Sequence, residues 1–198
     1  MDIKFTRVSK RFQDKLLFED LNLTFPEGRL TCLMGPSGSG KTTIINCILG
    51  LTRPDSGEVT GIEGKLVAAV FQEDRLIEHW DAIKNVKLVC DKSVTTKQVL
   101  EELKEVGLEE AIKKPVRDYS GGMRRRVAIV RAMLAQSELM ILDEPFQGLD
   151  ELLKEQVIDY VRRRTLGKTV ILVTHDREEA ERMGAELISL DNVIRQEV

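Results

Sequence analysis

Apolar and polar residues alternate over Ile3–Val8 and again over Leu16–Phe25, the pattern of antiparallel strands with one face on a core. Pro26-Glu27-Gly28 ends that pattern in a turn. Leu30–Met34 is a short, continuous apolar run, as expected of a buried strand, and Thr43–Leu49 reads as a helix. A second turn, Pro54-Asp55-Ser56-Gly57, precedes short strands at Glu58–Thr60 and Leu66–Phe71. Further along, buried strands at Leu139–Leu142, Thr169–Thr174 and Leu187–Leu190 alternate with helices at Met123–Leu134, Leu152–Arg164 and Asp176–Met183. Strands alternating with helices predict an α/β fold: a mainly parallel sheet flanked by helices, with an antiparallel β portion at its N-terminal end.

The stretch Glu73–Asp118 breaks this rhythm and is expected as a small helical insertion. Val99, Leu100, Leu103 and Val106 fall at helical spacing within Thr96–Val106, and Thr95 with Gln98 predicts a capping box. Gly107 and Pro115 punctuate its end. Leu76, Ile77, Trp80, Ile83 and Val86 also recur at helix-like spacing and include the one tryptophan.

Composition narrows the class. A chain of 198 residues with 42% hydrophobic and 32% charged residues is an ordinary globular mix, suited to one domain. Net charge is −3, so there is no basic field for a nucleic-acid backbone and no nucleic-acid partner is expected. The three cysteines have no C-x-x-C spacing, and Cys32 and Cys47 lie in apolar runs, which predicts a reduced, cytoplasmic chain. Met1–Lys10 already alternates and carries no leader pattern, and no apolar run approaches the ~20 residues of a membrane span. A role at a membrane would therefore run through a partner. Arg124–Arg126 is expected as a solvated helix face, and Arg162–Arg164 as cations closing a helix.

Gly35-Pro36-Ser37-Gly38-Ser39-Gly40-Lys41-Thr42 fits G-x-x-x-x-G-K-[ST], between an expected strand and an expected helix. Its glycines let successive amides turn toward an anion, the helix adds its positive end, Lys41 supplies a cation and Thr42 a hydroxyl for Mg²⁺. The strand Leu139–Leu142 runs into Asp143 and Glu144. Parallel sheets bind ligands at the carboxyl ends of their strands, so Asp143 is placed for the metal and Glu144 for the attacking water. His175 ends another buried strand at the same level. Tyr119-Ser120-Gly121-Gly122-Met123, a hydroxyl and two glycines at a helix start, is a second candidate anion cradle. His79 has no such context and is expected at the surface.

These motifs, in this order, resemble the ATP-binding cassette (ABC) family over essentially the whole chain. Gly35–Thr42 matches its Walker A motif, Leu139–Glu144 its Walker B motif and Tyr119–Met123 its signature motif. Gln72 falls at the glutamine loop, Gly148-Leu149-Asp150 at the D-loop and His175 at the switch histidine. Phe12 falls where the family stacks an aromatic ring on adenine. Tyr119 and Met123 depart from the usual leucine and glutamine. The strings Val70–Leu76 and Asp143–Phe146 resemble the importer subunits of the nitrate, sulfonate and taurine group, although Glu58–Val70 is shorter than is usual there.

The resemblance implies a P-loop NTPase core, Met1–Gln72 and Tyr119–Val198, with Glu73–Asp118 as a helical subdomain. It implies that ATP is held by the loop from Gly35 to Thr43 and closed over by Ser120, Gly121 and Gly122 of another subunit. Thr42, Asp143 and Gln72 would hold Mg²⁺, Glu144 would orient water, and Lys41 and His175 would contact the phosphates. The implied partners are a second copy or a related ATPase subunit, an integral membrane permease docking on the helical subdomain, and an extracytoplasmic solute-binding protein acting through that permease. The expected place is the inner face of the cell membrane, and no added regulatory domain is expected after His175. Two other classes stay open at this point: an ATP-gated regulator of a membrane partner, and a cytosolic ABC ATPase without a transport role.

Overall fold

The alternating N-terminal segment pairs into a hairpin, the first layer of the structure. The computed structural model describes residues 1–13, 15–109 and 112–190. Along the chain run β1 (Ile3–Phe12), β2 (Lys15–Phe25), β3 (Leu30–Met34), α1 (Lys41–Ile48), β4 (Ser56–Thr60), β5 (Val67–Val70), α2 (Ala82–Lys87) and α3 (Thr96–Glu105). There follow α4 (Gly121–Leu134), β6 (Leu139–Asp143), α5 (Glu151–Arg164), β7 (Thr169–Val173), α6 (Arg177–Met183) and β8 (Glu186–Ser189). An antiparallel sheet has the order β2-β1-β4, and a parallel sheet the order β5-β6-β7-β3-β8. The expected α/β architecture is the one observed.

The parallel sheet separates two cores. Cys32, Met140, Leu142, Val170 and Leu172 face the helices, where Val127, Val130, Val157 and Val161 pack on them. Leu33, Leu139, Ile141, Ile171 and Val173 face the other way, onto Ile44 and Ile48 of α1 and onto Ile3, Phe5, Phe18 and Phe25 of the antiparallel sheet. Every residue of β6 and β7 is buried, which is why those strands read as continuous apolar runs rather than alternating ones. Among the described residues, no helix is long and apolar enough to cross a membrane.

Helix starts follow their caps. α1 begins two residues before the expected Thr43, because Gly40 adopts a left-handed conformation (φ 98°) and releases Lys41 into the helix. α4 begins at Gly121, since the Ser120 hydroxyl accepts from the Met123 amide (3.3 Å). The capping box at Thr95 and Gln98 is present as expected.

Two expectations fail. The Leu76–Val86 stripe is not one helix, because only Ala82–Lys87 is helical there. Asn85, fully buried, accepts from the Ile77 amide (2.8 Å) and donates to the Ile77 and Asp81 carbonyls, which holds the preceding segment as a turn. The Asp81 carboxylate then caps the helix at the Lys84 amide. The second failure is Arg124–Arg126. Arg125 and Arg126 are buried, not solvated. Arg126 donates to the Val106 and Gly107 carbonyls (2.8 and 2.9 Å), satisfying the frayed end of α3. Arg125 turns toward β5 instead. Arg162–Arg164 does close α5, and Arg163 and Arg164 also pair with Glu102 and Glu105 of α3.

Candidate functional site

Four neighbouring parallel strands deliver the chemistry to one edge. β5 leads to Gln72, β6 ends in Asp143 and Glu144, β7 leads to His175, and β3 opens the phosphate loop. This is the carboxyl edge of the sheet, where open α/β folds bind ligands. A cleft of about 570 Å³ lies over it. Of the residues singled out in the sequence, Phe12, Gly35, Pro36, Ser37, Gly38, Gly40, Lys41, Thr42, Thr43, Gln72, Asp143, Glu144 and His175 line this cleft. Lys15, Leu17 and Val173 also line it, and nothing in their sequence context announced them. Phe12 is 51% exposed at the hairpin end, with the Lys10 ammonium 5.3 Å from its ring centre.

The loop is built for an anion. Lys41 Nζ donates to the Gly35 and Pro36 carbonyls (2.7 and 2.9 Å), so its charge lies against the loop's own backbone. Ser39 does not line the cleft. Its Oγ is buried and has no hydrogen-bond partner among the described residues, a polar atom that a phosphate oxygen or water would satisfy. Thr42, Asp143 and Gln72 present oxygen donors to the same cleft. Mg²⁺ is characteristically held by one or two carboxylates together with substrate phosphates, and this donor set fits that ion.

Burial, reinforced by the neighbouring charge of Glu144, raises the Asp143 carboxyl above its ordinary range, against the pull of Lys41 and Arg125. Glu144 adopts a left-handed backbone (φ 48°), which costs of order 1–3 kcal/mol for a non-glycine residue. Its amide donates to the Val173 carbonyl (2.8 Å), fixing that twist against β7. The carboxylate thereby meets His175, with Nδ1 3.0 and 3.1 Å from its two oxygens. His175 is otherwise open, with 72% of its side chain exposed. Behind it, Thr174 Oγ1 donates to Glu179 (2.6 Å), and Lys154 of α5 pairs with both Asp176 and Glu179 (2.9 and 3.0 Å).

The hydrogen bond to Glu144, and then its charge, raise the His175 pKa above the ordinary histidine value. Glu144→Gln is therefore expected to lower the His175 titration midpoint, read from its imidazole proton shifts by NMR. The sign is that of a cation gaining a partner. The pairing contributes fully below the ordinary histidine pKa and is lost as pH rises through the elevated one. An unchanged midpoint in the variant would show that the carboxylate does not bear on the ring.

Ser120, Gly121 and Gly122 do not line the cleft; they form the head of α4, with Ser120 and Gly121 exposed and Gly122 partly buried. A methyl group at Gly122 would stand 3.0 Å from the Gly148 carbonyl, so the turn before α5 passes directly against this head. Asp150 follows and caps α5 at the Leu153 amide (3.1 Å). The departures Tyr119 and Met123 are packing residues: Tyr119 is buried in the helix-side core and Met123 packs against it.

The family model described as "ABC transporter" matches residues 18–147. The "Sulfate/thiosulfate import ATP-binding protein CysA" of Synechocystis is 34% identical over 97% of this chain and 59% of its own length. A "Probable sulfate/thiosulfate import ATP-binding protein CysA" of Chlorella vulgaris is 33% identical over 97% of this chain and 88% of its own. The "Spermidine/putrescine import ATP-binding protein PotA" of Lawsonia intracellularis is 35% identical over 96% of this chain and 56% of its own. The chain thus spans little more than half the length of several of the curated relatives it matches. Among solved structures, the dimeric bacterial ABC transporter cassette MJ0796 superposes with a TM-score of 0.81 at 31% identity, covering 94% of this chain and 93% of that one. A second MJ0796 structure, a dimeric post-hydrolysis state bound to ADP and Pi, gives 0.79 at 30% identity. Identity near one third over almost the whole length, a matching family model and a shared backbone agree: the chain belongs to the ABC transporter family, as an ATP-binding cassette.

Proposed function

We propose that this chain is the ATP-hydrolysing subunit of an ABC importer, acting as a two-fold dimer on a separate membrane permease. One observation carries the reading. The phosphate loop, Gln72, Asp143, Glu144 and His175 share one cleft, while Ser120–Gly122 stands outside it. A nucleotide in the cleft of one copy then takes its remaining phosphate contacts from the α4 head of a second copy, and a two-fold axis makes two such sites. The dimeric state described for MJ0796 supports this arrangement.

In each site, Lys41 and the loop amides hold the β- and γ-phosphates. Thr42, Asp143 and Gln72 hold Mg²⁺, which when bound neutralises charge on the phosphate oxygens. Glu144 orients the attacking water. His175, whose Nδ1 is engaged by Glu144, presents Nε2 to the γ-phosphate. Phe12 stacks on the adenine, a contact worth ~1–3 kcal/mol. Loss of the γ-phosphate removes the bridge between the copies, and they separate. Release of phosphate from MgATP by the purified chain tests the reading, and no release above an enzyme-free blank would overturn it.

The core, residues 1–72 and 119–198, and the helical insertion, residues 73–118, have different tasks on this reading. The insertion begins next to Gln72 and receives the permease, around Leu76–Val86. Trp80, Leu76, Ile77 and Ile83 are only partly buried, and Leu88 at the end of α2 is 54% exposed. These are apolar groups for a permease helix to cover. The chain would sit at the cytoplasmic face of the membrane through that contact, with a solute-binding protein acting from the other side. Import is what the relatives' names share; the nitrate, sulfonate and taurine grouping rests on the two strings noted in the sequence. Glu78 and His79 are exposed on this surface and outside the cleft. Changing both to arginine is expected to leave ATP binding intact while weakening permease association by tenfold or more, as loss of an interface hot spot would. Normal assembly, with crosslinks to another face, would refute the docking surface.

A further inference from the structure

The loop Phe71–Arg75 carries Gln72 from β5 to the cleft, and α4 holds it by its backbone. Arg125 donates through Nη1 to the Phe71 carbonyl and through Nη2 to the Gln72 carbonyl. The same guanidinium pairs with Asp74 (3.3 Å). Six residues further along α4, Arg131 donates to the Asp74 and Arg75 carbonyls (2.9 and 2.7 Å). Arg75, in a left-handed conformation (φ 47°), lays its own guanidinium over the Phe71 ring at 3.7 Å. Backbone acceptors of this loop are therefore taken by side chains of the helix whose N-terminus is Ser120–Gly122.

Arg125 is 6% exposed, so its charge is committed to this task. Its planar fork is what lets one side chain reach two successive carbonyls and a carboxylate. A lysine would offer a single charged point, and a glutamine one amide without charge. From these contacts we infer that Arg125 is a positioning residue for Gln72: it seats the glutamine in the cleft and ties that seat to the head of α4. The inference rests on the reading above in which Gln72 works at MgATP. The element that would meet a second copy's nucleotide and the residue at this copy's own metal thus share one fastening.

A double-mutant cycle on the full chain tests this, with Arg125→Gln, Gln72→Ala and the pair. The readouts are kcat, KM for ATP and the Mg²⁺ concentration for half-maximal turnover. R125Q is expected to lower kcat at least tenfold and raise the Mg²⁺ requirement at least threefold. Metal-free binding of a fluorescent ATP analogue should stay within about twofold, because the phosphate loop is untouched. The pair should be no worse than Q72A alone, since Arg125 acts through Gln72. Additive losses, or normal R125Q kinetics beside an impaired Q72A, would overturn the inference. A silent Q72A would instead overturn the assigned role of Gln72. If R125Q does not fold, Arg125→Lys, which keeps the charge and loses the fork, is taken through the same cycle with the same criteria.

Discussion

Lys41→Ala is expected to lower ATP turnover by roughly 10²–10³-fold, the scale on which one charge-stabilising donor acts in a closed site. Lys41 is the only cationic side chain in the loop Gly35–Thr42. Its ammonium already lies on the Gly35 and Pro36 carbonyls, within the cradle itself. Phosphoryl transfer offers the protein little covalent work, so positioning and charge carry most of the acceleration. Lys15 also lines the cleft, on the hairpin opposite Phe12. The measurement is phosphate release from MgATP by the purified chain. Turnover within a few-fold of the unmodified protein would sink the assignment of this cleft.

Glu144→Gln is expected to abolish most turnover and to convert a largely monomeric chain into a dimer when MgATP is added. The side chain keeps its length and the left-handed backbone keeps its place against Val173, so nucleotide binding should persist. What goes is the carboxylate proposed to orient water, a loss expected on the scale of 10²–10⁴-fold. A nucleotide that binds the closed pair and is not consumed must draw monomers into it by mass action. Size-exclusion chromatography with and without MgATP reads the result. A variant that hydrolyses normally, or that stays monomeric at every ATP concentration, counts against the proposed cycle.

Much of the fold was legible because the signals were local. The alternation of Ile3–Val8, the cap at Thr95 and the apolar run Leu139–Leu142 each report their own surroundings. The cleft was legible for a related reason. Strand ends of a parallel sheet gather at one edge, so Asp143, Glu144 and His175 could be placed together without knowing any distance, and Gln72 joined them through the family resemblance alone. What the sequence hid was long-range. Arg125 and Arg126 looked like a solvated face, since a charge run usually is one, and their acceptors at Phe71, Gln72, Val106 and Gly107 lie far away along the chain. The helical spacing at Leu76–Val86 was real, but the buried amide of Asn85 claimed the backbone of the preceding segment. The contact between Glu144 and His175 had no signal beyond the strand ends that bear them.

The tight pass between Gly122 and the Gly148 carbonyl reaches further than either loop. A side chain at Gly122 would press on the Gly148 carbonyl, so the head of α4 and the turn into α5 are in close contact. α5 in turn is bolted by Lys154 to Asp176, next to the histidine. If two copies pair as proposed, the face that each would offer to its neighbour's nucleotide is joined through α5 to the histidine beside its own. Such a pair would then have a packed route from one nucleotide to the other, rather than two separate clocks.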